Sequence, residues 1–337
     1  MDHLVSVIIP VYNTAFYIEK CIYSVLSQDY SNIEIILVND CSTDNSATIC
    51  DQFAIKYTNI SSIHHEKNLG LSATRNSGLT AVKGDYVLFL DSDDTLLPNT
   101  ISILASYLET TKSELAICNY QYNVSGVVSP NKNQFNNGIY PIQYFLSQIY
   151  ELYMANWLSC VGTKLYRYSI IKKHSLRFDD ALYKYNEDIA FICNYLEYTQ
   201  NVYVSSHIGY NYVKRNNSIQ QSIHPHGLIS IFRARSTLSN ILIKFNLWDN
   251  KKELFAKDLS ILINAYILSQ WESYKDFCTV FNSIKSYMKN NPFFEVYYHA
   301  SSIYEKLYKT LLRNDSPLPL YLYVLLLRFI KDTIIKI

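Results

Sequence analysis

Apolar runs and helical spacings alternate along the first hundred residues. Leu4 to Pro10 (LVSVIIP) is a short apolar run of the kind that forms a strand covered on both faces. Phe16, Ile18, Ile22, Val25 and Leu26 then supply the buried side of a helix, with Asn13 or Thr14 placed to cap it. Ile33 to Val38 (IEIILV) predicts a second strand that runs into the polar turn Asn39-Asp40-Cys41-Ser42-Thr43-Asp44, and a helix starts near Asn45. Ile60 to His64 predicts a third strand, followed by a helix from Leu71 to Val82. Tyr86 to Leu90 (YVLFL) predicts a fourth strand, ending at Asp91, and Pro98 stands where the next helix begins. Alternation of this kind predicts a parallel sheet with helices on both faces.

Beyond Glu114 the pattern loosens. Leu115 to Tyr122 predicts a strand, and Gly126 to Gly138 (GVVSPNKNQFNNG) reads as loop. Helical pieces are expected at Pro141 to Tyr150, Tyr166 to Lys173 and Glu187 to Tyr198, and short strands at Val202 to Ser205 and Ile208 to Val213. After about Pro225 the spacing is helical throughout. With no internal repeat and no low-complexity linker, the boundaries fall near residues 100 and 220, giving segments 1–100, 101–220 and 221–337.

Composition narrows the function. Of 337 residues, 49% are hydrophobic, enough for roughly two domains or one large domain with an appendage. Lys and Arg total 30 against 29 Asp and Glu, so a net charge of +1 gives no electrostatic case for a nucleic-acid partner. Tyr is abundant at 31 copies, and its apolar body and polar tip suit wet, sugar-lined clefts. Seven Cys without a C-x-x-C spacing imply reduced thiols in a cytoplasmic chain, not a disulfide framework or a zinc site. The opening MDHLVSVIIPVYN has no basic segment ahead of its apolar run, so no signal peptide is expected, and no stretch reaches the roughly 20 apolar residues that span a bilayer.

Ligands of open parallel sheets bind at the carboxyl ends of the strands. Polar residues stand at these ends here: Tyr12-Asn13, Asn39-Asp40 and Asp91-Ser92-Asp93-Asp94. Crowded carboxylates repel unless a cation neutralises them. Mg2+ or Mn2+ suits such hard oxygen ligands and binds through one or two carboxylates plus substrate phosphates. The competing account is an Asp-rich turn capping the following helix, and Asp94 fits that role. A second acidic cluster, Asn186-Glu187-Asp188, precedes an amphipathic helix; dipole complementation explains one acid there.

At these residues the chain resembles glycosyltransferase family 2, the inverting enzymes with the fold called GT-A. The matching pieces are VSVIIPVYN (5–13), SVLSQDY (24–30), LVNDCSTDNS (37–46), KNLGLSATRNSGL (67–79), YVLFLDSDD (86–94) and NED (186–188), in the family's order over about 190 residues. The resemblance implies a Rossmann-like nucleotide-binding half (1–100), an acceptor-binding half (101–220) and a helical C-terminal region (221–337). It implies that Pro10, Tyr12 and Asp40 surround the base, UDP above all, and that Arg75 lies near the nucleotide. It makes Asp91 and Asp93 the DxD pair for Mn2+ or Mg2+, with Asp93 the more direct ligand. Asp188 becomes the general base, with Glu187 as the fallback or a hydrogen-bond partner of the acceptor. Cys41 stands where the family commonly has Gly, implying a turn that needs no positive φ. Lys164, in Thr163-Lys164-Leu165-Tyr166, matches an N-K-L-Y motif of related capsule enzymes and is placed toward the diphosphate or acceptor. Arg215 is placed to close over the diphosphate; His224 and His226 read as loop residues.

The expected activity is inverting transfer of a sugar from a nucleotide-diphosphate donor to a saccharide acceptor, linked to undecaprenyl diphosphate, in capsule or O-antigen synthesis. A nucleotidyltransferase lacks its Gly-rich basic loop here, since Tyr12-Asn13-Thr14-Ala15 follows the first strand; a non-catalytic sugar-binding scaffold is the other alternative. The tail PLPLYLYVLLLRFIKDTIIKI (317–337) mixes apolar residues with Arg328, Lys331 and Lys336, which suits a membrane interface. Peripheral association with the inner face of the cell membrane is therefore expected, against packing on the body or on a second copy in a homodimer.

Overall fold

The computed structural model describes residues 3–131, 136–154, 157–158, 160–180, 186–214, 227–255, 273–289, 310–311 and 315–325. The chain divides into two compact units, Met1–Ile219 and Gln220–Ile337.

The first unit is built on one mixed sheet. Its strands are β1 (Val5–Val11), β2 (Ile33–Asn39), β3 (Ile60–His64), β4 (Tyr86–Phe89), β5 (Thr95–Leu96), β6 (Leu115–Val124), β7 (Val127–Pro130), β8 (Gly138–Pro141), β9 (Lys164–Arg167) and β10 (Asn201–Lys214). Their order is β3-β2-β1-β4-β9-β6-β10-β5, with β7 on β6 and β8 on β10. The first four strands are parallel, and every residue of β1 is buried, as befits a strand covered on both faces. β9 enters antiparallel between β4 and β6, while β6 and β10 again run parallel. Residues before and after position 100 thus share one sheet and one core.

The helices are α1 (Ile18–Leu26), α2 (Ser46–Lys56), α3 (Leu71–Ala81), α4 (Thr100–Thr111), α5 (Ile142–Ser147), α6 (Ile149–Met154), α7 (Tyr168–Lys173) and α8 (Glu187–Leu196). In α1 the residues Ile18, Cys21, Ile22 and Val25 are buried at helical spacing. Phe16, expected on that face, is 89% exposed because it precedes the helix. Neither Asn13 nor Thr14 caps α1: its N-cap is Tyr17, and the Asn13 side chain accepts from Thr43 N instead.

Other sequence expectations shift for identifiable reasons. Pro98 does not open α4; the helix starts at Thr100 behind Asn99 in the left-handed region. Residues 126–138 are not all loop, since β7 forms a hairpin with β6. Lys164 to Arg167 form β9, so the helix expected from Tyr166 begins at Tyr168. The two strands expected after Val202 are one strand, β10, irregular at Val204/Ile208 and Ile208/Tyr210.

The second unit is helical where described, with helices Gly227–Lys244 and Tyr274–Lys289 and a shorter helix at 318–325. No helix among the described residues is long and apolar enough to cross a membrane. Every cysteine is a free thiol, and Cys21, Cys50, Cys118 and Cys193 are buried.

Candidate active site

The ends of β1, β2 and β4 meet through short polar contacts. Thr14 Oγ1 donates to Ser92 Oγ at 3.0 Å, joining the β1 loop to the Asp91–Asp94 turn. Asn13 N donates to Ser42 Oγ at 3.1 Å, joining it to the β2 turn. Tyr12 is 46% exposed at this edge, whereas Pro10 is buried. Pro10 lacks an N–H, and it lies past the end of the β1–β4 ladder, which stops at Ile8 and Phe89.

Asp40 is buried and highly engaged. Its Oδ1 accepts from Leu69 N and pairs with His65 Nδ1, both at 2.8 Å, and its Oδ2 accepts from Gly70 N at 2.8 Å. His65 Nε2 is in turn 2.8 Å from Ser77 Oγ on α3. Asp40 therefore holds the entry to α3, where Gly70 adopts φ 90°, a conformation glycine takes without steric cost. Cys41 departs from expectation: its φ is +58°. The turn does use the left-handed region, and cysteine occupies it at a cost of about 1 kcal/mol relative to glycine. The turn is held by Ser42 N donating to Asn39 Oδ1 and by Cys41 Sγ against Glu66 O.

The Asp91–Asp94 turn divides its labour. Asp94 does not cap α4. Its Oδ2 accepts from Tyr210 Oη at 2.6 Å and its Oδ1 from Val213 N at 2.7 Å, fastening the turn to β10. Burial, then the charges of Asp93 and Asp91, push the Asp94 carboxyl well above the usual range. Asp93 is half-buried, and the Asp91 side chain is 35% exposed.

The site's centre is Arg75, which α3 carries into the interior at 1% exposure. Its Nη2 donates to Asp91 Oδ1 at 2.9 Å; its Nη1 donates to Asp188 Oδ1 at 2.5 Å and to Glu187 Oε1 at 3.2 Å. Asp188 Oδ2 accepts from Val161 N at 3.2 Å. The guanidinium also lies 5.1 Å over the Phe178 ring, and its Nε is buried with no hydrogen-bond partner among the described residues. The resemblance implies a place for Arg75 near the nucleotide; in the structure Arg75 is buried with its two terminal nitrogens on three carboxylates of the chain. Both acids open α8 after Asn186, whose φ of 62° asparagine tolerates.

One cation cannot neutralise three carboxylates in a buried site. Burial and then the Asp188 charge push Glu187 up to about 7, so this pair holds a proton near neutrality. Burial raises Asp188 as well, opposed by Arg75. The short contact to Arg75 favours the charge on Asp188 and the proton on Glu187. Separation of this kind assigns base and acid roles to neighbouring carboxylates.

The oxygen donors of Asp91 and Asp93 fit a hard divalent cation. Among the described residues the Asp91 carboxylate makes one hydrogen bond, through Oδ1, and the raised Asp94 shows how crowded the turn's charge is. Among the described residues, no group of three or more His, Cys, Asp or Glu is arranged to hold a metal ion by itself.

The partners of two residues were not legible in the sequence. Nothing local in the sequence ties Tyr210 to Asp94, 116 positions away. Lys164 is buried at 1% exposure and faces backbone carbonyls, not a cleft. Arg215, His224 and His226 lie outside the described residues.

The family model "Glycosyl transferase family 2" matches residues 6–175, half of the chain. "Glycosyltransferase GlyG" of Streptococcus pneumoniae serotype 4 is 41% identical over 123 residues, 36% of this chain and 40% of the relative. "Minor teichoic acid biosynthesis protein GgaB" of Bacillus subtilis is 39% identical over 114 residues, 33% of this chain and 13% of the relative. The chain thus spans well under two thirds of either relative's length. Among solved structures, S. aureus TarS 1-349 in complex with UDP-GlcNAc superposes with a TM-score of 0.68 at 22% identity, over 85% of this chain and 81% of that one. That likeness shows the GT-A fold.

Proposed function

The chain belongs to glycosyl transferase family 2, and from its site we propose that it transfers a sugar from a UDP donor to a saccharide hydroxyl with inversion, using Asp188 as general base. One observation carries this: a single guanidinium binds Asp91, from the DxD turn, and Asp188, from the second acidic cluster. The donor side and the base are thereby held in one rigid assembly. TarS, of the same fold, is complexed with UDP-GlcNAc; Tyr12, Pro10 and Asp40 are the residues of this chain proposed to receive the base. Asp93 and Asp91 would hold Mg2+ or Mn2+, which offsets the charge of a departing diphosphate. Asp188 takes the acceptor proton as the hydroxyl attacks the anomeric carbon, and Glu187, protonated, offers the acceptor a hydrogen bond. Asp93→Ala is expected to abolish metal-dependent UDP binding, read by thermal shift with and without Mn2+. Undiminished Mn2+-dependent binding in that variant removes Asp93 from the site.

We further propose that the acceptor is a growing cell-surface polysaccharide carried on a lipid diphosphate, and that the C-terminal segment rests on the inner face of the cell membrane. GgaB, a teichoic acid biosynthesis protein, is among the similar proteins. In helix 318–325, Leu320 and Val324 are buried and Tyr321 packs 4.9 Å from Tyr274 and 5.1 Å from Phe277. Leu318, Leu322 and Leu325, at spacings of four and three, are exposed. These exposed leucines, followed in the sequence by Arg328, Lys331 and Lys336 among apolar residues, suit an anionic lipid surface. The full chain is expected to co-sediment with anionic liposomes at low salt, and a chain ending at Asn314 to remain in solution. Equal behaviour of the two removes the membrane role.

A further inference from the structure

Resting on the transferase function just proposed, we propose that Lys164 is a positioning residue for transfer: its ammonium hangs the turn of Trp157, Cys160 and Val161 in place, and that turn fixes the orientation of Asp188. The two oxygens of Asp188 are held from different elements. Arg75 on α3 takes Oδ1 at 2.5 Å, and Val161 N takes Oδ2 at 3.2 Å. Val161 depends on Lys164, the first residue of β9. Lys164 Nζ donates to Trp157 O at 2.5 Å, Cys160 O at 2.6 Å and Thr163 Oγ1 at 3.0 Å. Three N–H groups meet three oxygens, so the protonated amine is fully satisfied.

The turn is also confined from the other side. A Cβ on Gly162 would stand 2.4 Å from Tyr210 Cε2 and 3.0 Å from Phe89 O. A side chain at 162 therefore has no room toward β4 or β10, and the turn is held further by Tyr166 Oη donating to Val161 O at 3.5 Å and Thr163 Oγ1 to Cys160 O at 3.2 Å. Burying an ammonium without a carboxylate in hydrogen-bond contact is costly. The charged and titratable groups facing it are Asp188, Cys160 and Cys118. Burial lowers the Lys164 pKa to about 8. Above that pH the neutral amine has two N–H groups for three oxygens, and one contact must reverse or break. The direction of Asp188 then loosens, and misplacement of a catalytic group by about 1 Å costs up to about a hundredfold in rate.

The test uses the full chain with Mg2+ and follows UDP release from UDP-glucose, UDP-galactose and UDP-GlcNAc. For a donor the wild type hydrolyses, kcat is expected to fall through a limb near pH 8, with UDP affinity unchanged across it. Lys164→Met should lose about tenfold or more in kcat, keep the donor KM within about twofold and lack that limb. Stability should move the opposite way. A lysine whose folded pKa is depressed binds its proton less tightly folded than unfolded, so from pH 8 toward its ordinary 10.5 the wild type gains stability relative to Lys164→Met. A merely structural lysine would leave kcat flat across this window. A wild-type rate level to about pH 9.5, or a folded Lys164→Met with wild-type kcat, overturns the proposal. If Lys164→Met does not fold, the wild-type profile decides alone. If the wild type neither hydrolyses a donor nor binds UDP, the transferase function fails first, and Lys164 loses its role with it.

Discussion

Asp188→Asn is expected to lower donor turnover by about a hundredfold or more while metal-dependent UDP binding stays within a few-fold of wild type. Asparagine keeps the shape, but its one oxygen can accept from only one of Arg75 and Val161 N, its NH2 faces the other donor, and it cannot take the acceptor proton. Glu187→Gln supplies the contrast. Glu187 is pushed up to about 7, chiefly by burial, so near neutrality a glutamine resembles the form already present. Its turnover should remain within about tenfold of wild type. The sign for stability is also fixed. The ordinary value of Glu187 is 4.5, so the folded chain binds this proton more tightly than the unfolded one. That contribution is complete below 4.5 and is lost as pH rises through 7; Glu187→Gln removes this pH dependence. Steady-state hydrolysis and calorimetric melts from pH 5 to 8 read both effects. Normal turnover in Asp188→Asn together with loss in Glu187→Gln transfers the base role to Glu187, and a product of retained configuration refutes the mechanism.

The first hundred residues were legible because their physics is local. Strands β1, β2 and β4 are buried on both faces and so read as continuous apolar runs, with their carboxyl ends marked by Asn, Asp and Ser. β9 was not legible. It is four residues long, begins with Lys164 and ends with Arg167, and lies directly before α7, so its pattern merges with a helix. β7 was lost because all its residues are exposed on an edge, where no apolar alternation is required. The site shows the same division. Asp40, Asp91, Asp93 and Asp188 are visible as residue types in their motifs. The role of Arg75 is not, because its partners Glu187 and Asp188 stand 112 and 113 positions away. A charged residue in a nucleotide-binding motif suggests an anion from the ligand; here the anions come from the chain. Cys41 shows the converse error, since the residue's identity argued against a left-handed turn that the surrounding hydrogen bonds impose.

Replacement of Arg75 follows from the same geometry and carries the largest expected effect on stability. Arg75→Met strands Asp91, Glu187 and Asp188 without a counter-charge, two of them buried. Removing one partner of a buried ion cluster costs about 3–5 kcal/mol. In a unit of this size, each kcal/mol lowers the melting temperature by about 2–4 °C, so a fall of about 6–20 °C is expected. Arg75→Lys should recover little of it, because a single ammonium cannot present the two separate nitrogens that reach Asp91 and Asp188. The loss should also depend on pH. Without the guanidinium, burial drives both α8 carboxyls further up, and the folded variant takes up protons to escape the stranded charge. The variant then loses stability as pH rises, so the gap to wild type should widen from pH 5 to 8. Melting curves without nucleotide separate this from a ligand role. An arginine that contacted only the diphosphate would leave the unliganded melting temperature unchanged and weaken UDP binding alone. Melting of Arg75→Met within about 2 °C of wild type at pH 8 would mean that the buried cluster is not what holds α3 and α8 together.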